Sequence, residues 1–136
     1  VRQYLFIQKQ RYGDKLQYEI EEDESIADYK LPKLVLQPLV ENAIYHGIKE
    51  IDRQGMIRVT SVAEERQLIL SIYDNGRGFD VKTSMDATLL RLGGVGLKNV
   101  DQRLRLQFGD DYHMEIQSEP DKFTQISLYL PLVTDD

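Results

Sequence analysis

The stretch Leu36-Gln37-Pro38-Leu39-Val40-Glu41-Asn42-Ala43-Ile44-Tyr45-His46-Gly47 constrains the fold more than any other part of the chain. Leu36, Leu39, Val40, Ala43 and Ile44 recur at the three-to-four spacing that lays one apolar stripe along a buried helix. Glu41, Asn42 and His46 interrupt that stripe's surroundings with polar groups. Setting a carboxylate and an amide beside a buried stripe is costly unless something binds them. On an α-helix Asn42 and His46, four apart, share a face. Pro38 is expected to kink or restart the helix, which Leu31-Pro32 opens and Gly47 closes.

Around this helix the pattern is mixed. Residues 1–12 are amphipathic and read as the end of a helix, broken by Gly13-Asp14. Residues 15–21, 56–62, 68–73, 113–118 and 124–130 alternate apolar and polar, as half-buried strands do. The acidic residues 21–24 read as a solvated turn. Residues 80–92 have mixed polarity and no clean period, the pattern of a mobile loop. Gly94-x-Gly96 then opens a helix with Leu97, Val100, Leu104 and Phe108 on one face, stopped by Gly109. The expected architecture is an α+β two-layer sandwich, with helices on one face of a sheet that has hairpins at both ends.

Bulk properties narrow the function. The 136 residues suffice for one core, and no apolar stretch approaches the ~20 residues of a membrane span. The chain has no cysteine, hence no disulfide framework or thiolate metal site. A net charge of −6 argues against a nucleic-acid partner. An acidic domain that binds a polyphosphate must neutralise it locally, with a metal ion or helix N-termini. The chain opens without Met in helix-like sequence, the look of a piece of something longer.

Three motifs carry chemistry. An amide oxygen such as that of Asn42 is a hard ligand suited to Mg²⁺, which takes few protein ligands plus substrate phosphates. Asp74-Asn75-Gly76-Arg77-Gly78-Phe79 leaves a strand; its carboxylate can accept from an exocyclic amine while glycine lets backbone approach a flat ring. Gly93-Gly94-Val95-Gly96 before a helix can present N–H groups to phosphate. The last is neither a Walker loop, lacking the Gly-Lys-Ser/Thr ending, nor a Rossmann turn. Each motif alone has an ordinary structural explanation; in this order they point to a nucleotide site.

That order resembles the GHKL ATPases, and within them the catalytic ATP-binding domain of LytS/YesM-type sensor histidine kinases. The resemblance covers nearly the whole chain: Ile7-Gln8-Lys9 with Arg11-Tyr12 follows the phosphoacceptor helices, residues 36–47 form the N box, residues 74–79 the G1 box, and Gly93 to Leu97 with Asn99 and Arg103-Leu104 the G2 box. It implies a mixed, mostly antiparallel sheet covered on one face by helices. Residues 1–12 would end an upstream dimerisation and phosphoacceptor segment, and residues 13–136 would be the catalytic domain. Asn42 would ligate the Mg²⁺ that bridges ATP phosphates, and Glu41 would orient a metal-bound water or polarise the reaction. Tyr45 and His46 would border the nucleotide. Asp74 would accept from the adenine amino group, with Gly76, Gly78 and Phe79 around the ring and Thr124 beside it. Residues 80–92 would cover the ATP, and Gly94, Val95, Gly96, Leu97 and Lys98 would hold phosphates.

Three departures accompany the resemblance. Tyr45 stands where many histidine kinases carry a lysine that meets phosphate, making Lys98 the candidate cation. Phe123 stands where a glycine usually precedes the last-strand threonine, which puts the backbone near adenine in question. The only histidines are His46, which belongs to the N box, and His113, which opens a strand, so no phosphoacceptor is expected in this chain. The implied function is transfer of the γ-phosphoryl group of Mg-ATP to a histidine on a dimerisation domain, with a response regulator as the indirect partner. The implied setting is the cytoplasmic part of a bacterial membrane protein, the piece itself monomeric and the full-length kinase a homodimer. The alternatives are a GHKL ATPase and a nucleotide-free pseudokinase or interaction module. Pro38, where a general base four residues before Asn42 would stand, lowers the ATPase.

Overall fold

In a computed structural model, which describes residues 2–22, 36–48, 51–79 and 85–131, the chain folds into a five-stranded sheet with helices on one face. The elements run α1 (Arg2–Tyr12), β1 (Leu16–Glu22), α2 (Leu36–Asn42), a π-helical segment (Ala43–Ile48), β2 (Gly55–Glu64), β3 (Gln67–Asp74), α3 (Met85–Phe108), β4 (His113–Glu119) and β5 (Phe123–Pro131). The strand order is β1-β2-β3-β5-β4. All neighbours pair antiparallel except β1, which runs parallel to β2 with Leu16 opposite Gly55. The fold class and the mixed, mostly antiparallel sheet are as expected. The expectation of hairpins at both ends is corrected: β4–β5 is a hairpin edge, whereas β1 joins the other edge in parallel. Periodicity reports which face of a strand is buried, not which neighbour it pairs with.

The core forms where strand alternation meets the helical stripes. Ile57, Val59, Leu68, Leu70, Ile72, Ile126, Leu128 and Leu130 turn one way and are buried. Leu39, Val40, Ala43 and Ile44 from the first helical stripe and Leu97, Val100 and Leu104 from α3 cover them. Leu5 of α1 is fully buried in the same cluster, so α1 packs as part of this core. Phe6 and Ile7, on its outer side, stay 56% and 60% exposed. Lys9 Nζ closes the end of α1 by donating to the carbonyls of Gly13 (3.0 Å) and Leu16 (2.7 Å). Pro38 lies in the first turn of α2, where its missing N–H has no intrahelical partner to lose.

Two other expectations change. Gly47 does not close the second helix; the helical turn widens at Ala43 and runs through Gly47 to Ile48. Residues 85–92, read as loop, are the first turns of α3, so Gly93, Gly94 and Gly96 sit inside a 24-residue helix rather than at its start. Ala87, Leu89, Leu90, Arg91 and Leu92 are good helix formers, and propagating through a glycine costs about 1 kcal/mol, less than nucleating a second helix. Residues 80–84 and the acidic residues 23–24 lie outside the described set. Among the described residues no helix is long and apolar enough to cross a membrane.

A buried polar node ties the end of α3 to β4. Asp101, 5% exposed on the inner side of α3, accepts from Tyr112 Oη at 2.7 Å and from Arg105 Nε at 3.1 Å. Burial, then this hydrogen bond, pushes the Tyr112 hydroxyl well above its ordinary range, so it remains a donor. Tyr112→Phe would leave the carboxylate with arginine alone. The expected cost is about 1–3 kcal/mol in urea unfolding, and an unchanged midpoint would refute this role.

Candidate functional site

The inward positions of β3 read Leu68, Leu70, Ile72 and then Asp74. The strand's own alternation therefore delivers a carboxylate into an apolar slot, where it is 3% exposed. Its register partners are Ile57 of β2 and Thr124 of β5, and Thr124 is buried as well. Asp74 Oδ1 accepts from the Gly76 N–H at 2.9 Å. Burial raises the Asp74 carboxyl from 3.8 to about 7, and the Gly76 hydrogen bond only partly opposes this.

Glycines make the slot possible. A Cβ on Gly47 would stand 2.5 Å from Asp74 Oδ1 and 2.8 Å from its Cγ. A Cβ on Gly76 would run into the Gly47 backbone, and Arg77 N donates to the Gly47 carbonyl at 3.1 Å. The π-helical turn and the loop after β3 are thus pressed together backbone to backbone. Gly78 has φ +58°, in the left-handed region, and a Cβ there would strike the Glu119 carbonyl oxygen. Π-helical insertions often mark functional positions, and this one brings Gly47 over the carboxylate.

Asn42, the last residue of α2, is 6% exposed, and its Oδ1 is buried with no hydrogen-bond partner among the described residues. Leaving such an acceptor unmatched costs about 1–3 kcal/mol, the kind of cost that functional sites carry. Glu41 is half-buried and accepts from Gln37 Nε2 at 3.2 Å. Tyr4 of α1 lies near enough that its hydroxyl is held above its usual range, by burial first and then by the Glu41 carboxylate. Among the described residues no cluster of three or more acidic or histidine side chains could hold a metal by itself.

The structure brings Asp74, Gly76, Gly78, Phe79 and Thr124 together, with Asn42 leading into the turn that covers them. Tyr45 is 62% exposed. Lys98 is half-buried on α3, and Leu97 lies in the core. Gly94, Val95 and Gly96 are helical, and the side chains of His46 and Val95 lie outside the described set. Because the turn is π-helical from Ala43, Asn42 and His46 are not in α-helical register. The Phe123 ring turns away from the slot: it stacks on Tyr73 at 6.0 Å and 19°, and both rings are on the opposite face from Asp74 and Thr124.

Several supporting residues had no sequence signal. Arg53 Nη2 donates to the carbonyls of Asn75 (2.5 Å), Gly76 (2.9 Å) and Asp121 (3.1 Å), clamping the glycine loop to the β4–β5 turn. Asn75 Oδ1 accepts from Met56 N at 2.7 Å, while its Nδ2 donates to the Gln54 carbonyl at 3.1 Å. Ser118 Oγ accepts from Phe79 N at 2.9 Å. A lone arginine, asparagine or serine in a loop or edge strand carries no periodicity to betray such contacts.

The family model described as histidine kinase-, DNA gyrase B- and HSP90-like ATPase matches residues 27–134. The chain belongs to this family. It is 37% identical over 131 residues to the sensor histidine kinase BtsS of Escherichia coli, covering 96% of this chain and 22% of BtsS. It is 34% identical over 131 residues to the sensor histidine kinase YesM of Bacillus subtilis, with coverage of 96% and 22%. The chain thus spans about a fifth of the length of these curated relatives. The histidine kinase domain of the blue-light activated kinase of Erythrobacter litoralis superposes with a TM-score of 0.71 at 16% identity, covering 96% of this chain and 58% of that one. The last likeness establishes the fold alone. The family match and the two curated relatives make this a GHKL domain of the sensor histidine kinase type; in the structure the N-box turn and the G1-box loop meet at Asp74, whereas the G2-box glycines lie inside α3.

The raised Asp74 carboxyl sets a stability signature for the domain without nucleotide. Its folded-state value, about 7, lies above the unfolded value near 3.8, so the folded chain holds the extra proton between those limits. Stability from this group is therefore present at about pH 4 and lost as pH rises through 7. Asp74→Asn should stabilise the domain at about pH 8 by on the order of 4 kcal/mol and have little effect near pH 4. Urea unfolding at both pH values checks this; equal effects at both would refute it.

Proposed function

We propose that this domain binds Mg-ATP and delivers its γ-phosphoryl group to a histidine on a dimerisation domain outside this chain. The observation that carries the reading is the buried Asp74 carboxylate, walled by Gly47 and Gly76 and set opposite Thr124. A carboxylate so placed accepts from the amino group of a flat ring that only glycine backbone would let approach. Asn42 supports the phosphate end: its buried, unmatched Oδ1 fits a hard cation that takes one protein ligand and completes its shell with phosphate oxygens and water. Mg²⁺ would neutralise charge on the transferring phosphoryl group.

The protein's own part is positioning and electrostatics. Asp74 and Thr124 would hold the base, Asn42 would hold the cation that neutralises the triphosphate, and Glu41, held by Gln37, would orient water or the incoming group at the γ-phosphate. For Gly94 and Gly96 to present N–H groups to phosphate, α3 must open at its glycines, where helix is weakest. Lys98, just beyond them, would then supply a cation that Tyr45 does not. Residues 1–12 would continue an upstream helical segment bearing the phosphoacceptor, and a response regulator would receive the phosphoryl group. The setting we infer is the cytoplasmic side of a bacterial membrane protein.

Calorimetric titration of ATP with and without Mg²⁺ tests this reading. We expect Mg-enhanced binding, loss of the enhancement in Asn42→Ala, and at least about tenfold weaker binding in Asp74→Asn. Affinity should also rise as pH passes upward through about 7, because amine recognition needs the ionised carboxylate. No binding to the folded parent chain would overturn the proposal and favour an interaction module.

A further inference from the structure

The hydroxyl pair beneath the base slot has one hydrogen arrangement that makes all three contacts of Ser118 hydrogen bonds at once. Ser118 Oγ lies 2.8 Å from the Phe123 carbonyl oxygen, 2.9 Å from Thr124 Oγ1 and 2.9 Å from Phe79 N. A carbonyl has no proton, so the hydrogen between Ser118 and Phe123 must be the serine's. The Phe79 N–H donates to Ser118, taking one acceptor position. Serine has a single proton, already committed, so the contact with Thr124 can be bridged only by the threonine's hydrogen. Thr124 therefore donates to Ser118 and turns its remaining lone pairs elsewhere.

Thr124 is the register partner of Asp74, and directly opposed residues of paired strands face the same way. The end of β3 and the start of β5 thus present acceptors side by side: the Asp74 carboxylate and the lone pairs of Thr124. Such a wall suits a ring amino group and repels a ring carbonyl.

We propose that Ser118 is a positioning residue for base selection, which locks the Thr124 hydroxyl as an acceptor so that the site takes a 6-amino purine and rejects a 6-oxo purine. This rests on the reading of the Asp74 slot as the base site. With the lock removed, Thr124 can rotate and donate to a carbonyl at the same ring position.

The test compares binding of Mg-ATP and of Mg-ITP, which carries oxygen in place of the amino group, at about pH 8.5 where Asp74 is ionised. The wild-type chain should prefer ATP by about tenfold or more. Ser118→Ala should narrow that ratio several-fold, and Ser118→Thr, which restores the hydroxyl, should return it. Thr124→Val should also narrow the ratio, and adding Ser118→Ala to it should narrow it no further. A merely structural serine would weaken both nucleotides alike, so an unchanged ratio in Ser118→Ala overturns the proposal while leaving the ATP site intact. If wild type binds neither nucleotide, the base-site reading fails and this one with it. Should Ser118→Ala not fold, Ser118→Cys, close in volume and a weak donor, is read by the same ratio.

Discussion

Everything at the Asp74 end of this domain depends on backbone approaching backbone at Gly47 and Gly76. The two segments meet without side chains between them, with Arg77 N donating to the Gly47 carbonyl and Asp74 Oδ1 accepting from the Gly76 N–H. Any Cβ at either glycine would push into the carboxylate or the opposing backbone. That approach buries Asp74, and burial raises its carboxyl to about 7 despite the Gly76 hydrogen bond. The widened turn from Ala43 to Ile48 is the device that brings Gly47 there, and it leaves Asn42 at the preceding helix end with its oxygen unmatched.

The site is therefore stored cost rather than accumulated stability. A carboxylate and an amide oxygen occupy positions that apolar residues would fill more favourably, and the surrounding core supplies the excess that tolerates them. The scaffold around them is over-determined. Arg53 holds three carbonyls from two loops, Asn75 extends the pairing of β2 and β3 beyond the strand end, and Ser118 pins the chain leaving Gly78. The opposite face of the sheet takes the bulky residues: Arg58 pairs with Glu19 at 3.1 Å and lies over Tyr73, which stacks on Phe123. Strand alternation sends Phe123 to that face, so its large side chain stands clear of the slot that holds Asp74 and Thr124.

Local patterns were readable because they follow from one-dimensional periodicity. The alternation of β2, β3 and β5 appears in the sequence at nearly its final bounds, and the apolar stripes of α2 and of the second half of α3 appear with the residues that the core buries. The errors in the helices occurred at glycines, where a long-range contact or the neighbouring helix formers outweighed the local signal. Gly47 looked like a helix stop, yet its lack of a side chain serves Asp74, which lies in another element. The glycines after Leu92 looked like a helix start, yet the helix-forming residues before them carry α3 straight through.

By itself the sequence determined which faces are apolar, the order of the three motifs and which polar and glycine residues they contain. These depend on residue type and spacing, which local physics reads directly. Only the tertiary structure decided that β1 pairs in parallel, that Asp74 and Thr124 stand opposite each other, and that Arg53 and Ser118 support the site. Those facts depend on which strands become neighbours and how closely backbones approach, and neither leaves a periodic trace in the chain.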